Sequence, residues 1–196
     1  WLRPAQRAGE AATMGLLFSS VWKAIFASGK KYKICMLGLD NAGKTTILFK
    51  LHLGEVVDTQ PTVGSNVEEI KVNNLRFVCW DLGGQTALRK NWNDYFTNTS
   101  AVIMVIDSCD RKRIDEVKKE FYRVLSDPNL KNACFLVLAN KQDCSNKMEA
   151  AEIAQKLNLL ALKSHSWHIQ ATCALTGQGL TEGMDWISHQ ITKSGS

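Results

Sequence analysis

The sequence predicts an α/β fold in three layers: a six-stranded, mostly parallel sheet with helices on both faces. Three observations lead there. Apolar runs of strand length alternate with segments of helical periodicity along the chain. Short glycine- and asparagine-containing motifs follow several of those runs at their carboxyl ends, where open α/β sheets bind ligands. The 196 residues, 45% of them hydrophobic, suffice for a single sizeable core.

In chain order, Tyr32-Lys33-Ile34-Cys35-Met36-Leu37 places a buried strand near 31–38, and the stretch from Thr45 to Leu51 places a helix near 44–53. The polar segment Glu55 to Ser65, with Pro61 and Gly64, reads as a loop. Two alternating runs near 66–72 and 75–81 flank Asn73-Asn74, which suggests a tight hairpin and therefore one antiparallel strand pair. A helix is expected near 86–96, a strand near 101–107, and a helix near 111–126. The unbroken apolar run Ala133 to Ala139 is the next strand. A helix near 147–158, a strand near 167–173 and a closing helix near 178–193 complete the alternation, with no internal repeat and no low-complexity linker.

Gly38-Leu39-Asp40-Asn41-Ala42-Gly43-Lys44-Thr45 spells a complete phosphate-binding loop. Gly38 and Gly43 allow backbone angles that a side chain forbids, so successive N–H groups can turn inward toward an anion. The helix that follows aims its positive N-terminal end at the same place. Lys44 can reach the outer phosphates as a point charge, and the Thr45 hydroxyl can ligate Mg2+. Further on, Asp81-Leu82-Gly83-Gly84-Gln85 follows a strand. A carboxylate at Asp81 can hold Mg2+ through its water shell, the Gly84 N–H can approach a terminal phosphate, and Gln85 can orient a water for in-line attack.

Asn140-Lys141-Gln142-Asp143 chooses the base. Guanine presents two adjacent donors, N1–H and the 2-amino group, and the Asp143 carboxylate can accept both. Adenine would leave a charged oxygen unpaired, a difference that reaches about 10^4-fold or more. The Lys141 stem can cover the base plane, and the Ala174 N–H, in Cys173-Ala174-Leu175, can meet the guanine O6.

These motifs, with Pro61-Thr62-Val63-Gly64 and Ala171-Thr172-Cys173-Ala174-Leu175, resemble the ADP-ribosylation factor (Arf) and Arf-like family of small GTPases over residues 14–194. Gly64 to Ile70 and Trp167-His168-Ile169-Gln170 point to one Arf-like branch. The resemblance implies the P-loop NTPase fold of small G proteins. It implies GTP or GDP as ligand, with phosphate contacts from Asp40, Asn41, Ala42, Gly43, Lys44, Thr45, Thr46, Thr62 and Gly84. Guanine contacts come from Asn140, Lys141, Asp143, Cys173 and Ala174. Mg2+ is held by Thr45 and Thr62, with Asp81 acting through water, and Gln85 is the catalytic residue. Thr62 lies on a switch segment and reaches the metal only when a third phosphate is present.

The implied activity is slow GTP hydrolysis in a membrane-associated switch for vesicle traffic. The protein is expected to be a monomer, cytoplasmic and peripheral on Golgi and trans-Golgi membranes. Its expected partners are an exchange factor, an activating protein and effectors, the last on Val63 to Ile70 and the helix after Gln85. Asp40 stands where several small GTPases outside the family carry glycine. A carboxylate beside the terminal phosphate is unfavourable unless a lysine or arginine pairs with it, and it is expected to slow cleavage and exchange. Arg89 is the one arginine the sequence places beside the motifs, and it reads as surface. An arginine supplied by an activating protein, which can raise the rate about 10^3- to 10^5-fold, is therefore expected. The rivals are a GTP-binding scaffold without turnover, opposed by Gln85, and a nucleotide kinase, whose second substrate site and lid arginines are not visible.

Three segments are expected: a leader at 1–13, an amphipathic membrane-binding helix at 14–29, and a GTP-binding domain at 30–196. Phe18, Val21, Trp22 and Ile25 share one helical face, too short to span a membrane. Met14-Gly15-Leu16-Leu17-Phe18-Ser19 matches the myristoylation pattern at Gly15 if Met14 is the start. One acyl chain anchors only marginally, so the apolar face would be the second element. The 6 cysteines lack zinc spacing and read as free thiols. His165 and His168 have no partners for a metal cluster. The net charge of +5 is modest; it could help attraction to anionic lipid but does not argue for nucleic acid. Lys112, Arg113, Lys118 and Lys119, interspersed with acids, read as a solvated helix face.

Overall fold

The computed structural model describes residues 30–53, 67–72, 75–81 and 96–193. The predicted N-terminal helix with Gly15, the loop carrying Thr62, the Asn73-Asn74 turn, and the segment 82–95 with Gly84, Gln85 and Arg89 lie outside the described residues.

The elements are β1 (Tyr32–Gly38), α1 (Lys44–Leu53), β2 (Val67–Val72), β3 (Leu75–Asp81), β4 (Thr99–Asp107), α2 (Ile114–Leu125), β5 (Cys134–Asn140), α3 (Ala150–Lys156), β6 (Trp167–Ala171) and α4 (Leu180–Lys193), with 3-10 turns at Pro128–Leu130 and Leu159–Ala161. They build one six-stranded sheet in the order β2-β3-β1-β4-β5-β6. The strands from β3 to β6 across the sheet are parallel to their neighbours. Edge strand β2 runs antiparallel to β3, closing on the pair Val72↔Leu75, as the predicted hairpin requires.

Side-chain alternation on the strands produces the three layers, because successive residues point to opposite faces of a sheet. Cys35, Leu37, Val102, Met104, Ile106, Phe135 and Val137 face one side, where Ile114, Val117, Phe121 and Val124 of α2 and Ile153 of α3 cover them. Ile34, Met36, Ala101, Ile103, Val105, Leu136 and Leu138 face the other, under Ile47, Leu48 and Leu51 of α1 and Leu180, Met184, Ile187 and Ile191 of α4. Each fully buried aliphatic or aromatic side chain of this kind contributes about 1.5–3 kcal/mol. Phe121 meets Phe135 edge-on, with centroids 5.9 Å apart at 86°. The spacing 114, 117, 121, 124 gives α2 its single apolar stripe. Asp115 and Glu116 in its first turn and Arg123 in its last complement the helix dipole.

Several boundaries differ from the sequence reading. Helix α2 starts at Ile114 rather than 111, because Asp110 ends a turn instead: its N–H donates to the Asp107 carbonyl at 3.2 Å and its carboxylate accepts from the Arg113 N–H at 3.2 Å. Helix α3 is shorter than 147–158 and ends before Asn158, whose φ of 56° breaks the helix. Strand β6 ends at Ala171, because the Cys173 N–H turns away to the Gln178 carbonyl at 3.1 Å. All six cysteines are free, and burial pushes Cys35 up to about 11 and Cys134 up to about 12. Among the described residues no group of three or more His, Cys, Asp or Glu side chains can hold a metal, and no helix is long and apolar enough to cross a membrane. His165 packs edge-on against Phe135, and His168 stacks on Trp186.

Gly38 is required for space rather than for an unusual backbone angle. A Cβ there would lie 2.3 Å from the Val105 carbonyl oxygen of the adjacent strand. Neither atom can rotate away, since both belong to the sheet. Gly38→Ala should lower folding stability by roughly 1–3 kcal/mol, read as a reduced urea midpoint at unchanged slope.

Candidate nucleotide-binding site

The phosphate loop grows directly out of β1. Leu39 and Ala42 are buried, whereas Asp40 and Asn41 are exposed. The Ala42 N–H donates to the Leu39 carbonyl at 3.3 Å, closing a tight turn. Left-handed backbone falls at Asn41 (φ 60°) and Gly43 (φ 95°), an alternation of hand that folds backbone amides into an anion-binding concavity. Asparagine tolerates that region better than most side chains. Gly43 has a second reason to lack a side chain: a Cβ would meet the Asn140 Nδ2 at 2.4 Å. Helix α1 begins at Lys44 with no acidic residue in its first turn, so nothing there opposes an anion at its positive end.

Lys44 is only 5% exposed, and its Nζ donates to the carbonyls of Gly38 at 3.1 Å and Leu39 at 2.7 Å. A buried ammonium fixed over the loop backbone is the charge a polyphosphate needs at this position. Thr45 and Thr46 occupy the first turn of α1. The β1–β3 register sets Asp81 opposite Gly38, at the end of β1 from which the phosphate loop leaves. A threonine hydroxyl and an aspartate carboxylate are hard oxygen donors of the kind Mg2+ takes. The residues present therefore fit the metal that the family implies.

On the far side of the loop, β5 delivers Asn140 to the interior, where it is 1% exposed. Its Nδ2 donates to the Ala42 carbonyl at 2.8 Å. Its Oδ1 accepts from the Ala174 N–H at 3.0 Å and from the Thr172 hydroxyl at 3.4 Å. Asn140, expected from sequence as a guanine contact, also braces the phosphate loop against the loop after β6. The Ala174 N–H, expected at the guanine O6, is engaged by that same side chain. Lys141 has φ 64°, and its Nζ pairs with Asp107 Oδ2 at 2.7 Å. Gln142 secures the turn through Ser108 Oγ at 2.8 Å and the Met148 carbonyl at 3.1 Å. Asp143 is exposed, whereas Cys173 and Ala174 are buried.

The β4–α2 turn contributes side chains that sequence reasoning did not assign to the site. Arg113 Nη1 donates to Asp40 Oδ1 at 2.6 Å, its Nη2 to the Asp40 carbonyl at 3.4 Å, and its Nε to Asp110 Oδ2 at 2.6 Å. This corrects two expectations. Arg113 does not belong to the solvated face with exposed Lys112 and Lys119, and Arg89 is not the one arginine near the motifs. Burial raises the Asp110 carboxyl, but the hydrogen bonds from Arg113 outweigh it and hold it below the ordinary carboxylate value. The one signal in the sequence was the expectation that Asp40 needs a basic partner. Nothing in the linear pattern said that the partner stands 73 residues away.

Fold and loops together define a three-layer P-loop nucleotide-binding protein. The profile of the ADP-ribosylation factor family matches residues 18–191, and the chain belongs to that family of small GTPases. It is 51% identical over 178 residues to ADP-ribosylation factor-like protein 5A of Homo sapiens and of Rattus norvegicus, covering 91% of this chain and 98% of theirs. It is also 51% identical to ADP-ribosylation factor-like protein 5 of Dictyostelium discoideum, covering 91% of this chain and 97% of that one. This is the Arf-like branch to which residues 64–70 and 167–170 pointed.

Removing the Asn140 amide would leave a buried N–H and a buried carbonyl without their partner. Asn140→Ala should lower stability by about 2–4 kcal/mol and weaken GDP binding at the same time, measured by urea unfolding and by calorimetry on the same preparation.

Proposed function

We propose that this chain is a GTP/GDP-dependent, membrane-associated switch in vesicle traffic. It binds GTP with Mg2+ and hydrolyses it slowly until an activating protein assists. The observation that carries this reading is the coupling of a lysine-filled phosphate loop to a base-reading loop through one buried amide, Asn140. Phosphate recognition falls to the backbone of Asp40 to Gly43, to Lys44, and to Thr45 and Thr46, with Thr62 and Gly84 joining from the segments outside the described residues. Guanine recognition falls to Asn140, Asp143 and the Lys141 stem, with Cys173 and Ala174. Mg2+, held by Thr45 and Thr62 with Asp81 through water, would neutralise phosphate charge. Gln85 would orient the attacking water.

The charges near the loop among the described residues support slow turnover. The guanidinium of Arg113 is already shared between Asp40 and Asp110, so it does not supply a positive charge to a transition state. An arginine from an activating protein would supply it. Membrane attachment would come from the apolar face Phe18, Val21, Trp22 and Ile25, with a myristoyl group on Gly15 where Met14 is the start. The reading sets the chain peripherally at Golgi and trans-Golgi membranes, with an exchange factor and effectors as partners. Monomeric chains and no nucleic acid complete the reading.

Calorimetry with magnesium present tests base choice. GTP should bind at least about 10^4-fold more tightly than ATP, and Asp143→Ala should abolish most of that preference while leaving the fold intact by circular dichroism. Equal affinity for both nucleotides would overturn the reading. Single-turnover hydrolysis in the presence of an Arf-family activating protein tests catalysis. Gln85→Ala should lower the rate by about 10^2-fold or more with little change in GTP affinity, whereas an unreactive wild type would favour a scaffold without turnover.

A further inference from the structure

An acidic side chain in a phosphate loop is a liability, since it repels the ligand the loop is built to hold. Asp40 is that side chain, 67% exposed at the turn of the loop. Arg113 draws it aside. The guanidinium grips the Asp40 carboxylate at 2.6 Å and the Asp40 carbonyl at 3.4 Å, so it holds both the side chain and the backbone of the loop. Arg113 is itself fixed from behind by Asp110, through Nε to Oδ2 at 2.6 Å and through its own N–H to Oδ1 at 3.2 Å. A planar guanidinium with two carboxylates on its fork is an oriented group rather than a loose surface charge. Asp110 is anchored in turn, since its N–H donates to the carbonyl of Asp107, whose carboxylate pairs with Lys141. The turn from Asp107 to Arg113 therefore touches the phosphate loop at one end and the base-reading loop at the other.

We propose that Arg113 is a positioning residue that sets how strongly the site prefers GTP over GDP, by neutralising Asp40 and orienting it away from the terminal phosphate. This deepens the nucleotide-switch reading and rests on it. The effect falls on GTP because GTP carries one more charged phosphate than GDP, the phosphate that the family resemblance sets beside Asp40. Partial exposure and solvent screening keep its size moderate.

Competition of unlabelled GDP and of a slowly hydrolysed GTP analogue against a fluorescent GDP, with full-length chain and magnesium, tests the proposal. Arg113→Ala should weaken the GTP analogue about 3- to 10-fold more than GDP, and the excess should shrink at high salt. Arg113→Lys should recover part of the loss. Adding Asp40→Asn to Arg113→Ala should remove the excess. Asp40→Asn alone should shift the ratio toward GTP, which keeps the proposal testable if Arg113→Ala does not fold. Equal losses for the two nucleotides, or a double variant no better than Arg113→Ala, would overturn this role while wild-type binding stands. A wild type that binds neither guanine nucleotide would overturn the switch reading and this role together.

Discussion

The site depends on a single buried carboxamide. Asn140 donates to the Ala42 carbonyl and accepts from the Ala174 N–H, so one side chain joins three segments far apart in sequence. Each of those backbone groups is buried, and a buried polar group without a partner costs about 1–3 kcal/mol. The carboxamide is suited to the place because it carries a donor and an acceptor side by side without charge. A carboxylate would offer no donor to Ala42, and a leucine would serve neither neighbour. Gly43 follows from the same constraint, since any Cβ there would collide with the Asn140 Nδ2.

Around that brace the fold supplies orientation. Strands β1, β4 and β5 are buried on both faces and end at a common edge of the sheet. The loops that leave this edge are short, so their polar residues converge without long excursions. Charge is then balanced locally rather than globally: Lys44 lies over loop carbonyls, Lys141 pairs with Asp107, and Arg113 lies between Asp40 and Asp110. The chain's modest net charge of +5 says nothing of this arrangement.

Much of this was legible in the sequence because it rests on local signals. The apolar runs that become β1 and β5 are unbroken, the positions 114, 117, 121 and 124 have helical spacing, and the phosphate loop is contiguous. The β2–β3 hairpin was legible from two alternating runs around Asn73-Asn74. What escaped was non-local. That the Asn140 amide also reaches 98 residues back to Ala42 is visible only in the packing. Arg113 sits in a run of mixed charges whose periodicity suits a wet helix, but the turn made by Asp107 and Asp110 places it before α2 and aims it at Asp40. Gly38 was read as conformational freedom, whereas its cause is the neighbouring strand's carbonyl. Helix ends were misplaced for local reasons of the same kind: the Asp110 carboxylate takes the Arg113 N–H ahead of α2, and the left-handed backbone of Asn158 stops the chain after α3.

The two left-handed residues of the phosphate loop have a kinetic consequence. Asn41 and Gly43 already hold the bent backbone, and Lys44 is already seated over it. Little chain entropy remains to be lost when an anion arrives, so association requires no rearrangement of the cradle. The Ala42 carbonyl of that cradle is held by a carboxamide that also secures the loop after β6, so the cradle and the base-reading end are tied through one side chain before any ligand arrives.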